Sequence, residues 1–586
     1  MNMRQPLLTP IVALFVGLLA LSNAAGAEPE RPNVVVILID DLSHYGVTAY
    51  GANRIRIGDD EVPQTISTPH IDRLADGGLL CENAFAYPLC EPTRIALMSG
   101  QLNGRNFLAP KSQHASDITF GDVFKRAGYA TGIFGKWKQT RGTREIKGKD
   151  YIREFGWDEF CCFDVVGEGQ RFLAPNLVTD GVPRDYGKGD PIDPKTGRRW
   201  YGPDICQRHA LDFIERHRER PFLLYLPFML VHDPHQPTPD TRPPERFDEF
   251  REWQDRKANK KGDDLGFLPD MVAYMDRQVG EVVAAIERLG LRERTLFIVM
   301  GDNGTKENFT HILPDGGDYR GGKGDTKDNG THVPLVLSWP GTIPGGTSYE
   351  GLVDVTDIYP TMCDAAGLEI PNPRSIDGIS FWPHAIGKPG EAREVIYTWY
   401  NANRPGTDTS KLIRYAFTKD FKRYAPHANF PEGRFFDLRE DPLEESGEHS
   451  VKVAWWHKHH SGLDTSSLTN DQREAYRSLG AVLDRHHHVP VKSLEVIPRS
   501  LKLEEGASTL IRCRITPENA TRQNLIWESG NPEVATVDKF GMIHAIAPGT
   551  TEITVYSWDD ARPLADNRSE TFSRDGFTDR IVIEVD

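Results

Sequence analysis

The stretch "RPNVVVILIDDLS" (31–43) is apolar without a break from Val34 to Ile39 and then stops at two aspartates. A strand with one wet face alternates apolar and polar residues. A strand without alternation is buried on both faces, as parallel strands covered by helices are. "PFLLYLPFML" (221–230) and "RTLFIVMGDNG" (294–304) repeat the pattern. Between these runs the period becomes helical. "TPHIDRLADGG" (68–78) and "TFGDVFKRAGY" (119–129) each close on glycine, and "DMVAYMDRQVGEVVAAIERLGL" (270–291) is the longest amphipathic stretch. Strands alternating with helices predict an α/β domain with a parallel or mixed sheet. Ligand chemistry then gathers where the strands end.

From about residue 390 the texture changes. "EVIYTWYNAN", "KLIRYAFTKDFKRYA" and "GRFFDLREDPLE" read as short strands between polar turns. "TNDQREAYRSLGAVLDR" (469–485) reads as a closing helix with Ala475, Leu479 and Leu483 on one face. Together they predict a smaller α+β subdomain. Residues 493–586 show short alternating strands punctuated by Gly, Pro and Asn, the pattern of a β-sandwich. "WESGNPEVATVD" followed by "GMIHAIAPGTTEITV" resembles the bacterial Ig-like (group 2) domain, whose members usually act as spacers or adhesive elements. The expected organisation is a catalytic domain over 31–389, its C-terminal subdomain over 390–485, a linker over 486–492 and an Ig-like domain over 493–586.

The first residues follow another pattern. Arg4 is the single positive charge before a short apolar core, "IVALFVGLLALS", and "NAAGA" ends in small residues at Ala25 and Ala27. This predicts a signal peptide over 1–27 and a secreted or periplasmic mature chain. The apolar run is shorter than the ~20 residues that a bilayer span needs. No later segment is long and apolar enough to cross a membrane, so no span is expected in the mature chain.

Charge narrows the partners. The net charge of -16 disfavours nucleic acid and repels anionic substrates at long range. An anion site must then be a local basic cluster, effective within the screening length. The seven cysteines are Cys81, Cys90, Cys161, Cys162, Cys206, Cys363 and Cys513. They are too few for a disulfide scaffold, and an odd number leaves at least one unpaired within the chain.

Candidate chemistry lies at the strand ends. Asp40 and Asp41 end one strand, and Asp302 and Asn303 end another. An all-oxygen set suits a hard ion, Ca²⁺ or Mg²⁺; either pair alone reads equally well as a helix cap or a solvated turn. Arg94, Lys136 and Lys323 stand beside glycine turns or a helix start, where a lone lysine is usually just exposed. "GGKG" lacks the spacing of a phosphate-binding loop, which removes nucleotide binding. His232 and His235 follow a buried strand, where a histidine serves as general acid or as a structural residue. The histidines of "WWHKHHSG" (455–462) and His486 to His488 read as loop and linker residues rather than a metal site. In "LCEPTRIALMSG" (89–100), Pro92 fits the first turn of a helix and Gly100 its end. The helix start points free N–H groups near Cys90, so an anion belongs there, flanked by Arg94. A thiolate nucleophile is one option.

"CEPTR" with "IALMSG" resembles the signature of the formylglycine-dependent sulfatases. "ILIDDLS", "GYATGIFGKWK", "VMGDNG", "GGKGDTKDNGTHVPLVLSWPG", "TDIYPTMCDAAGL" and "DGISF" follow in that family's order, across about residues 31–450. The resemblance implies an alkaline-phosphatase-like α/β fold, a mixed sheet flanked by helices. It implies that a formylglycine-generating maturation enzyme oxidises Cys90, a modification invisible in the sequence. One hydroxyl of the aldehyde hydrate would attack sulfur, and the other would later expel sulfate. Asp40, Asp41, Asp302, Asn303 and the hydrate at position 90 would hold Ca²⁺, which polarises sulfate oxygens. Arg94, Lys136 and Lys323 would offset anionic charge. Asp302 would accept the attacking hydroxyl's proton. His232, with His235 as second choice, would protonate the departing alcohol.

Four positions depart from the family. Glu91 stands where small residues are usual, Ser99 where Thr is common, and His332 where many members have Arg, a packing position. Lys138 replaces the histidine that usually follows "GKW" and helps release sulfate. A lysine binds sulfate but is a poor base unless its pKa is depressed. The expectation is a secreted sulfuric ester hydrolase acting on a sulfated carbohydrate or an aryl sulfate. Two rivals stay open: a phosphoester or phosphonate monoester hydrolase on the same scaffold, and a non-catalytic glycan-binding protein with Cys90 unconverted.

Overall fold

The computed structural model describes residues 31–586 except 59–61, 108–110, 115, 140–148, 190–191, 243–263, 372–374, 402–410, 453–456 and 558–576. The expected signal peptide lies outside these residues. Among them, no helix is long and apolar enough to cross a membrane.

Ten strands form the central sheet, numbered here in chain order. They are β1 (Asn33–Ile39), β2 (Leu79–Phe85), β3 (Ala130–Lys136), β4 (Glu159–Phe163), β5 (Asn176–Thr179), β6 (Val182–Asp185), β7 (Phe222–Pro227), β8 (Thr295–Gly301), β9 (Leu335–Ser338) and β10 (Thr347–Asp354). Their order across the sheet is β10-β2-β9-β8-β1-β7-β3-β4-β5-β6. The five central strands from β8 to β4 are parallel, while β9, β5 and β6 join antiparallel. The sheet is therefore mixed, as the sequence suggested.

Every residue of β1 is buried. Val35, Ile37 and Ile39 enter one hydrophobic core, while Val34, Val36 and Leu38 enter another on the opposite face. This double burial is why the run shows no alternation. Each such side chain contributes about 1.5–3 kcal/mol on leaving water. Helices α1 (Pro69–Asp76), α4 (Gly202–Arg216) and α5 (Leu268–Arg288) supply the first core; α2 (Cys90–Ser99), α3 (Phe120–Arg126) and α6 (Ile358–Ala366) supply the second. A capping box between Thr119 and Asp122 starts α3.

Strands β11 (Ile396–Tyr400), β12 (Ile413–Phe417), β13 (Phe421–Tyr424) and β14 (Arg434–Asp437) make an antiparallel sheet in sequence order. Helix α7 (Asn470–Arg485) packs on it through buried Leu479, Val482 and Leu483, with Ala475 partly buried beside them. A further cluster joins Phe85 of β2 and Leu352 of β10 to Ile396, Tyr415, Phe417, Tyr424 and Phe436. This subdomain is thus seated on the β10 edge of the main sheet. The last segment folds as small, mostly antiparallel sheets around Val496, Ile543, Ile553, Val555, Ile581 and Ile583, with Ser500–Leu503 joining Thr578–Val585 in parallel. Along Gly549–Ser557 the burial alternates, as a sandwich strand requires.

Gly135, inside β3, shows why one glycine is required. Its φ is 144°, and a Cβ there would lie 2.0 Å from the Pro227 carbonyl oxygen. The close approach sets the lateral spacing of β3 and β7 beside the strand ends. Gly135→Ala is expected to lower the unfolding free energy by roughly 2–3 kcal/mol. Urea unfolding of the two full chains, with the m value unchanged, checks this.

Candidate active site

Strand register brings the acids together. Ile39 pairs with Gly301 across β1 and β8, so Asp40 and Asp302 emerge side by side. The Asp41 N–H donates to Asp302 Oδ1 at 3.0 Å, and the Asn303 amide donates to Asp41 Oδ1 at 3.0 Å. Oxygens of Asp40, Asp41 and Asp302 lie within 4.8 Å of one another. All four residues are at most 3% exposed. Asp41 adopts a left-handed backbone, φ 64°, which an ordinary residue holds only under constraint.

Cations surround this cluster. Lys136 ends β3, and its Nζ lies 2.7 and 2.6 Å from the two Asp40 oxygens. Arg94 donates to Asp302 Oδ2 at 2.8 Å and to the Lys136 carbonyl at 2.9 Å. Lys323 pairs with Asp41 at 2.5 Å. Burial pushes the Asp40 carboxyl up, but Lys136, Arg94 and Arg171 outweigh it and hold the group below the carboxylate range. Asp302 goes the other way. Burial and the charge of Asp40 raise it to about 7, against the opposing pull of Arg94.

Helix α2 presents Cys90 to this cluster. All ten of its residues are buried. It ends at Gly100 in the left-handed conformation, φ 65°, whose N–H closes on the Ala96 carbonyl at 2.8 Å. The Cys90 sulfur, an Asp40 oxygen and a His232 ring nitrogen lie within 4.8 Å of one another. Burial raises the Cys90 thiol pKa despite Lys136 and Lys138. An unmodified Cys90 is thus a neutral thiol, which disfavours the thiolate reading. His232 follows β7, with Nε2 3.8 Å from Asp41 and Nδ1 2.7 Å from the Asp233 carbonyl. A carbonyl only accepts, so Nδ1 carries the proton and Nε2 faces the site. Burial, then Arg171, holds His232 well below the imidazole range. His235 instead packs edge-on against Phe309 at 5.0 Å.

The donor set suits a hard cation. Asn303 Oδ1 is buried and has no hydrogen-bond partner, and it stands beside three carboxylates. An orphaned carbonyl oxygen among carboxylates is a ligand set for Ca²⁺ or Mg²⁺.

The Sulfatase family model matches residues 32–368. The chain belongs to the sulfatase family. It is by that membership a sulfuric ester hydrolase. A model for the C-terminal part of N-sulphoglucosamine sulphohydrolase matches 325–452, and the bacterial Ig-like (group 2) model matches 490–562. Steryl-sulfatase of Rattus norvegicus is 28% identical, over 85% of this chain and 94% of its own. An N-acetylgalactosamine-6-O-sulfatase of Bacteroides thetaiotaomicron is 27% identical, over 66% and 83%. A solved structure from a glycosaminoglycan-metabolism locus of Bacteroides thetaiotaomicron superposes with a TM-score of 0.55 at 22% identity, covering 78% of this chain and 99% of that one. It shares the fold.

Against the sulfatase pattern, the departures at positions 91 and 138 explain each other. Glu91 is buried, and its carboxylate faces Lys138 Nζ at 3.6 Å. Burial lowers the Lys138 pKa, but Cys90 and Glu91 outweigh it and raise the group. Lys138 is therefore a firm cation and not a base. Its φ of 48° is a second left-handed backbone in the site. Ser99 accepts from Asn106 at 2.7 Å and donates to the Ile95 carbonyl at 2.8 Å. His332 stacks on His44 at 4.0 Å and on Phe85 at 4.8 Å, which fits a packing role.

Sequence reading missed two contributions to this sulfatase site. Arg171 lies 3.8 Å from Asp40 and over the Phe163 ring at 5.0 Å. It stands in an irregular loop, "EGQRFLAP", with no motif around it. The second comes from "WWHKHHSG". His457 and His459 grip Asp325 at 3.2 and 2.8 Å, and His457 lies 3.0 Å from the Lys323 carbonyl. Tyr424 meets Thr326 Oγ1 at 3.1 Å. The C-terminal subdomain thereby fixes the loop that carries Lys323.

Burial lowers the His457 pKa, but Asp325 overcomes it and raises the group above its ordinary 6.5. Its stabilising contribution is complete below that ordinary value and is lost as pH rises through the raised one. The stability advantage of wild type over His457→Gln is expected to be larger at about pH 6 than at about pH 9, by urea unfolding of both chains.

Proposed function

We propose that this sulfatase is an exported enzyme that hydrolyses sulfate esters of a sulfated carbohydrate, using a formylglycine derived from Cys90 and a bound calcium ion. The observation that carries the reading is the meeting of the α2 start with three carboxylates and five cations (Arg94, Lys136, Lys138, Arg171 and Lys323) at one end of the sheet. Relatives named for the 6-sulfate of N-acetylgalactosamine support a sugar substrate. An apolar core of signal-peptide length supports export.

Asp40, Asp41, Asp302 and Asn303 would hold the calcium ion. When bound, it supplies Lewis acidity toward a sulfate oxygen and lowers the pKa of a coordinated hydroxyl. The formylglycine supplies, as its hydrate, an attacking hydroxyl and a second one whose loss of a proton expels sulfate. The remaining work belongs to the chain's own side chains. Lys323, Lys136 and Arg94 receive the charge on sulfate, in a buried site where each contact is worth more than in water. Arg94 also fixes Asp302 by a buried ion pair, leaving that carboxyl to take the nucleophile's proton. His232 offers Nε2 toward the leaving oxygen. It must gain a second proton there, which Asp41 and an incoming sulfate both favour. Lys138 holds the sulfate oxygens from the α2 side, with Glu91 neutralising it between turnovers.

Cys90→Ala is expected to abolish aryl sulfate hydrolysis. In the active chain, the peptide containing residue 90 should have lost sulfur and two hydrogens and gained oxygen, by mass spectrometry. Full activity with an intact thiol would overturn the mechanism.

Lys138→Met removes one charge-assisted contact and is expected to raise KM for an aryl sulfate roughly ten- to a hundredfold. An unchanged KM in steady-state kinetics would remove Lys138 from substrate binding.

A further inference from the structure

The Ig-like domain does not hang free of the catalytic domain. Arg105 donates to the Thr521 carbonyl at 2.7 Å, and Arg126 lies over the Phe540 ring at 4.6 Å. Lys539 reaches Asp122 at 3.0 Å and the Asp117 carbonyl at 3.1 Å. Beside these contacts, Asn524 enters the catalytic domain and is itself buried. Its Nδ2 donates to Asp117 Oδ1 at 2.5 Å, and its Oδ1 accepts from Gln101 at 3.2 Å.

From Asp117 the bonds run inward. Asp117 Oδ2 accepts from Gln113 Nε2 at 2.5 Å and from the His114 N–H at 3.3 Å. Gln113 Oε1 accepts from Gln139 Nε2 at 3.1 Å, and the Gln113 N–H donates to the Gln139 carbonyl. Gln139 Nε2 also lies 3.1 Å from the Arg94 carbonyl and 3.1 Å from Met98 Sδ. Gln101, Gln113, Asp117 and Gln139 are each at most 4% exposed. In so dry a place each unmet polar atom costs about 1–3 kcal/mol, and among the side chains of Gln101, Gln113, Asp117 and Gln139 the buried atom without a partner is Gln139 Oε1. The inner end of the run is Gln139, directly after Lys138 and close after Lys136, bonded to the helix that carries Cys90 and Arg94.

We propose that the Ig-like domain is a positioning element of the sulfatase, in which Asn524, through Asp117, Gln113 and Gln139, sets the segment 136–139 against α2. The proposal rests on the reading of Cys90, Arg94, Lys136 and Lys138 as the sulfate-cleaving site. It assigns a role that a spacer or adhesive module would not have.

The test uses the full mature chain and an aryl sulfate. Asn524→Ala, with far-UV circular dichroism retained, is expected to lower kcat on the order of tenfold. If that variant does not fold, Asn524→Ser, whose hydroxyl is too short to reach, serves instead. Lys539→Ala removes docking contacts, among them its bond to the Asp117 carbonyl, but no side-chain bond of the run from Asn524 to Gln139. It is expected to lower the unfolding midpoint and leave kcat within about twofold. The double variant Asn524→Asp with Asp117→Asn exchanges donor and acceptor, keeps the contact with Gln113, and is expected to restore kcat to within about threefold. The proposal is overturned if kcat is indifferent to Asn524. It is overturned equally if Lys539→Ala lowers kcat as much, or if the folded exchange variant restores nothing. A turning-over wild type with an indifferent Asn524 sinks this proposal alone, whereas a wild type without turnover sinks the reading of the site and this proposal with it.

Discussion

Carboxylates can be buried side by side only if cations are buried with them. An ionised group taken out of water without a partner costs several kcal/mol, and like charges add to the cost. Asp40, Asp41, Asp302 and Glu91 are at most 7% exposed, and each has a cation beside it. Much of the surrounding structure serves this requirement. The register of β1 against β8 sets Asp40 by Asp302, and Gly135 lets β3 approach closely enough to end in Lys136. The C-terminal subdomain holds Lys323 through the histidines on Asp325. A chain of net charge -16 thereby keeps a cluster of buried cations at the ends of its central strands.

What the sequence made legible follows from how locally each feature is encoded. The β1, β7 and β8 runs were readable because burial on both faces leaves an unbroken apolar signature. Helix α2 was readable because Pro92 and Gly100 mark its two ends within one stretch. Asp40, Asp302, Arg94, Lys136 and Lys323 were readable by resemblance, since each sits in a short contiguous motif, and the fold brings them together.

Partnership between distant positions was not legible. Glu91 looked unhelpful and Lys138 looked misplaced when each was taken alone; only closure of the fold puts them 3.6 Å apart. A buried acid that keeps a neighbouring lysine charged turns two departures into one matched exchange. Arg171 was missed because an irregular loop has no period to read. His457 and His459 read as loop residues because their partner, Asp325, belongs to another domain of the chain.

The burial of Cys90 also sets a clock. At 3% exposure, inside a helix with no exposed residue, its side chain is beyond the reach of another protein's active site once the sheet has closed over it. Any enzyme that converts this residue must therefore meet an open chain. On the proposed chemistry, conversion would compete with collapse of the two cores, and the fraction of molecules that become active would be decided by relative rates during biogenesis. Substitutions that speed early folding of β1, β8 and α2 would make a more robust protein and a less completely matured one.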